Sequence, residues 1–67
     1  MLSARNQFQG TVQSVKLGDV MAEVVVDVNG LEFVSAITRA SAEHLGLQPG
    51  VEATVVVKST EVLIARD

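Results

Sequence analysis

The chain has no cysteine, tryptophan or tyrosine, and only one proline and one histidine in 67 residues, and each scarcity removes a class of protein. Without cysteine there is neither a disulfide nor a thiolate metal site, and His44 has no second histidine with which to build a zinc site. Two phenylalanines are the whole aromatic complement, too few for the stacking platforms of a nucleic-acid binder. Positive charge is scarce as well. Five cations stand against eight carboxylates for a net charge of −3, and Arg5, Lys16, Arg39, Lys58 and Arg66 are scattered along the chain rather than gathered on a basic face. No apolar run is long enough to cross a bilayer, and no basic segment precedes an apolar stretch at the start, so the reading is a cytoplasmic protein made without a cleaved signal. Paired carboxylates flanking a cleft, a Ser/His/Asp set and a glycine-rich phosphate loop are all missing, which argues against an enzyme.

What is abundant is apolar aliphatic surface. Hydrophobic residues make up 48% of the chain. A single core in one domain of this size supplies a net stability of only about 3–5 kcal/mol. With disulfides and metal excluded, oligomerisation is the remaining source of help. The runs Val24-Val25-Val26 and Val55-Val56-Val57 are apolar on both faces of any strand they form, and one small chain cannot cover both faces.

The patterning is mostly β. From Asn6 to about Lys16, Phe8, Gly10 and Val12 alternate with Gln7, Gln9, Thr11 and Gln13, as in a half-buried strand. Gly10 inside it indicates a bulge or the close approach of another backbone. Leu17-Gly18-Asp19 turns the chain into a second strand, Val20 to Val28, with Val20, Ala22, Val24, Val26 and Val28 on one face. Asn29-Gly30 is the hairpin signal into a third strand, Leu31 to Ile37. The period then changes. Ala40 to Leu45 reads as a short helix with Thr38 at its N-cap and Gly46 closing it. After the Gln48-Pro49-Gly50 turn come two more strands, Val51 to Lys58 and Glu61 to Ala65, separated by Ser59-Thr60. This order predicts an all-β domain over 1–67: a small five-stranded OB-like barrel with one short helix between strands 3 and 4. An SH3-like barrel is its nearest competitor, and element order does not separate the two.

Three places gather donors suited to an oxyanion. Ser3 and Arg5 flank the small Ala4 on an extended backbone, so both side chains point the same way. Thr38 and Ser41 lie at the helix start, where N–H groups lack partners. Lys58 and Ser59 close the second valine run. Each also has a plainer reading: a polar terminal segment, a helix cap with a solvated first turn, and a lysine snorkelling from a strand end. His44 reads as an exposed helix residue.

Taken together, Ser3-Ala4-Arg5-Asn6-Gln7, Gly10-Thr11-Val12, Ala36-Ile37-Thr38 with Ser41, Leu45-Gly46-Leu47, Pro49-Gly50 and Val57-Lys58-Ser59-Thr60-Glu61 resemble the molbindins. These are the small Mop-type molybdate-binding proteins, similar in turn to modules of molybdenum-responsive regulators and transporter ATPases. The resemblance spans nearly the whole chain, and Ser-Ala-Arg-Asn is its most specific part. It implies an OB-like subunit that pairs by strand exchange, with three dimers forming a hexamer that stores molybdate or tungstate at subunit interfaces for molybdenum homeostasis. It also implies the interface site: Ser3, Ala4 and Arg5, then Thr38 and Ser41, then Lys58 with the Ser59 N–H. Arg5 and Lys58 would neutralise the dianion, with hydroxyls and amides fixing its oxygens. Further sites near a three-fold axis, built from backbone groups, fall on residues the sequence does not identify. The partners expected are therefore the oxyanion and further copies of the chain, with no nucleic acid and no membrane. The alternative is a structural β-barrel that oligomerises or docks on a protein without a small-molecule ligand.

Overall fold

The computed structural model describes residues 4–66, and Ser3 lies outside the described residues. Strands β1 (Asn6–Leu17), β2 (Met21–Val28), β3 (Leu31–Thr38) and β4 (Glu52–Val57) form one antiparallel sheet in the order β3-β2-β1-β4. Helix α1 (Arg39–His44) connects β3 to β4.

Local chemistry accounts for the connections. Val28 pairs with Leu31, and Asn29 and Gly30 take φ of 51° and 88°, the left-handed pair that a two-residue hairpin requires. Thr38 is extended at the N-cap of α1, and its Oγ1 accepts the Ser41 N–H at 3.1 Å. At the other end Gly46, with φ of 64°, lets its own N–H reach Glu43 O and the Leu47 N–H reach Ala42 O, both at 3.1 Å. That pair of bonds ends the helix and returns Leu47 to the core.

One strand serves two ladders. Asn6 to Thr11 of β1 pairs with β4, and Thr11 to Leu17 pairs with β2. A bulge interrupts the second ladder: Val12 faces Val26 but Ser14 faces Val25, so Gln13 is the extra residue. The inward set thereby changes parity, and Val12 and Val15 reach the same core. Gly10 is not the bulge. A Cβ there would lie 2.4 Å from the Asp27 carbonyl oxygen and 2.8 Å from Val28 Cγ2, so the glycine permits a close approach of β2.

The core is small. Val12, Ala22, Val24, Val26, Val28 and Ala42 are buried, with Val15, Phe33, Ile37, Leu47, Ala53 and Val55 half-buried against the valines. Phe8 of β1 stacks on Phe33 of β3 with ring centroids 5.5 Å apart. Edge strands β3 and β4 both line an open groove of ≈ 770 Å³, with Leu45 and Leu47 at its margin.

The sheet has four strands where the sequence predicted five. Ser59–Glu61 forms a 3-10 turn, and the chain from Val62 onward pairs with no strand among the described residues. Val62 has extended dihedrals, φ −88° and ψ 116°, and Leu63 and Ile64 are 91% and 88% exposed. The segment has the composition of a strand but no ladder partner within its own described chain.

Candidate oxyanion site

The β1–β4 ladder decides where the two cations go. Asn6 pairs with Val57, and Arg5 and Lys58 are the next residues outward on the two strands, so both stand at one end of the sheet. Both are exposed. The ion pair among the described residues is Arg39–Glu43 at 3.6 Å, so neither Arg5 nor Lys58 is held by a carboxylate there. Lys58 precedes the 3-10 turn, whose hydrogen bonds are Glu61 N–H to Lys58 O and Val62 N–H to Ser59 O, and the Ser59 N–H has no backbone partner among the described residues.

The backbone around Arg5 is more ordered than a polar terminal segment requires. β1 begins at Asn6 and Arg5 sits in a bend before it, so strand alternation does not govern the Arg5 side chain. The bend is held instead by Gln7, whose N–H donates to Arg5 O at 3.1 Å and whose Nε2 donates to Ala4 O at 2.6 Å.

Thr38 and Ser41 form a second cluster. Thr38 Oγ1 accepts the Ser41 N–H and donates its proton to Ser41 Oγ at 2.8 Å, and the Ser41 hydroxyl proton has no acceptor among the described residues. The cap reading of Thr38 is therefore realised in the fold, and Ser41 keeps one donor that no described residue accepts. Arg39 fastens this cluster to the rest: its N–H donates to Val20 O at 2.7 Å and its Nη1 to Gly18 O at 3.3 Å.

The two clusters are separate in the topology. Thr38 pairs with Met21 beside the end of β1, whereas Arg5 and Lys58 flank its beginning. No hydrogen bond joins them among the described residues. Ile37, next to Thr38, and Lys58 line the same groove. The register thus sets Ala4, Arg5, Lys58 and Ser59 at one end of the sheet, Thr38 and Ser41 are hydrogen-bonded at the other, and no hydrogen bond among the described residues joins the two sets. Gln7 and Arg39 carried no role in the sequence reading, because their contacts depend on a bend and a turn that residue types do not announce.

The TOBE domain family model matches residues 2–64. The chain is 48% identical over 64 residues to molybdenum-pterin-binding protein 2 of Clostridium pasteurianum, covering 94% of each chain. It superposes on a molybdate-binding protein from Sporomusa ovata with a TM-score of 0.94 at 41% identity, covering 98% of both chains. A third match is the cytoplasmic molybdate-binding protein ModG with molybdate bound, with a TM-score of 0.84 at 42% identity. There the fold covers 88% of this chain and 43% of that one. The open four-stranded sheet is accordingly OB-like in its neighbours' company, and the chain belongs to the TOBE-domain family, among the small Mop-type proteins that its sequence resembles.

Proposed function

We propose that this chain is a non-enzymatic protein that binds molybdate or tungstate at interfaces between its own copies and stores it for intracellular molybdenum homeostasis. The observation that carries the reading is the β1–β4 register, which sets Arg5 and Lys58 at one sheet end, exposed and unclaimed by the described carboxylates. Two cations match the charge of a tetrahedral dianion, and the Ser59 N–H can fix one of its oxygens. The identity of the anion is supported by the relatives, which are named for molybdenum-pterin or molybdate binding.

A second copy completes the site in this reading. Since Thr38 and Ser41 stand at the other end of β1, one subunit offers Ala4, Arg5, Lys58 and Ser59, together with Ser3, and its partner offers Thr38 and Ser41. The groove between the β3 and β4 edges, the exposed Val62-Leu63-Ile64 segment and the small core support an assembly by strand exchange. Three such dimers form a hexamer, and residues 1–67 act as one domain. Among the described residues no helix is long and apolar enough to span a membrane, and one relative is described as cytoplasmic, the compartment proposed here.

Thermal melting tests the reading. Ligand that binds only the folded assembly raises its melting temperature with concentration. Molybdate and tungstate should each do so and sulfate should do so far less, whereas Arg5→Ala and Lys58→Ala should respond to none of them. Melting curves indifferent to both metal oxyanions would leave the structural oligomerisation module as the better description.

A further inference from the structure

We infer that Gln7 is a positioning residue for the oxyanion site, acting through the backbone that carries Arg5. The inference rests on the molybdate reading above. Two successive carbonyls, Ala4 O and Arg5 O, are held by donors from this one residue: the side-chain Nε2 at 2.6 Å and the backbone N–H at 3.1 Å. A trans peptide is planar, so fixing the Ala4 carbonyl also fixes the Arg5 N–H on the opposite side of the same peptide. The Gln7 side chain therefore sets the direction of the Arg5 amide and the point from which its guanidinium departs. Neither atom belongs to Gln7, and Gln7 need not touch the anion.

Among the described residues, Ala4 O is the one hydrogen-bond partner of this side chain. Gln7 is exposed, lies opposite Val56 in the β1–β4 ladder and is absent from the core. The Ala4–Arg5 segment precedes the first strand pairing, so without the side-chain clamp the Gln7 N–H to Arg5 O bond is the one hydrogen bond among the described residues that holds it. A long cationic side chain loses binding strength when its base moves, because the ordering that the backbone had supplied must then be supplied on binding.

The test uses isothermal titration of the full chain with sodium molybdate, beside the melting temperature of the ligand-free protein. Gln7→Met keeps the length of the side chain and removes the donor. It should weaken molybdate binding by about three- to tenfold, the range expected for one lost hydrogen bond, with an unchanged ligand-free melting temperature and assembly mass. Arg5→Ala serves as the reference for a lost ligand. If wild type binds and Arg5→Ala does not, yet Gln7→Met binds like wild type, the positioning role is wrong while the storage reading stands. A drop in ligand-free melting temperature that matches the loss of affinity would make Gln7 a structural residue and also overturn the inference. Failure of wild type to bind molybdate would remove both.

Discussion

Thr38 has two demands on one hydroxyl. As N-cap it accepts the Ser41 N–H, and its proton goes to Ser41 Oγ, so its direct capacity for an anion is limited while it caps. Thr38→Ala should lower unfolding free energy by about 1 kcal/mol in urea melts. Thr38→Asp separates the two demands, since aspartate caps as well as threonine or better but places a negative charge where a dianion is proposed to bind. Its ligand-free melt should stay near wild type while the molybdate-induced rise disappears. A second residue-scale test concerns packing. Because a Cβ at Gly10 would sit 2.4 Å from the Asp27 carbonyl oxygen, Gly10→Ala should cost about 2 kcal/mol, read from the same denaturant melts.

At the scale of elements, legibility followed locality. Strands β2 and β3, the Asn29-Gly30 hairpin and both ends of α1 are set by residues adjacent in sequence, and the structure has them within a residue or so of the predicted limits. Val20 marks that margin: it falls before β2 and is 71% exposed. The bulge at Gln13 was not legible, since an extra residue is defined only against the partner strand β2. The fifth strand failed for a related reason. Val62-Leu63-Ile64 satisfies every local preference for a strand, but a strand exists only beside another, and the described chain offers this segment none. The site divides in the same way: the donor types were visible one by one, while the placement of Arg5 and Lys58 at the same end of the sheet comes from the β1–β4 register, which ends at Asn6 and Val57. If the terminal segment pairs with a second copy, deleting residues 62–67 should shift sedimentation toward smaller species. An unchanged assembly mass would assign the interface to other surfaces.

For the whole molecule, the balance between core and exposed apolar surface is decisive. Among the described residues the buried side chains are no larger than valine, while Leu31, Val34, Leu45, Leu63 and Ile64 are all more than half exposed. So small a core is what the proposed assembly and ligand would supplement. Val26→Ala removes apolar volume from the centre of the core and should cost about 2 kcal/mol, much of what a domain of this size possesses. Since ligand at a hundredfold excess over its dissociation constant adds about 2.7 kcal/mol, saturating molybdate should restore most of the lost melting temperature in that variant. A Val26→Ala protein that melts low and gains nothing from molybdate would contradict a ligand that stabilises the fold.

The central claim is that one oxyanion is shared between subunits through Arg5 and Lys58 on one and Thr38 and Ser41 on the other. It is tested most directly by anomalous diffraction at the molybdenum edge from crystals grown with molybdate. The account predicts a peak within hydrogen-bonding reach of Arg5 and Lys58 of one copy and of Ser41 of a second. A peak enclosed by a single copy, or peaks remote from both cations, would contradict it.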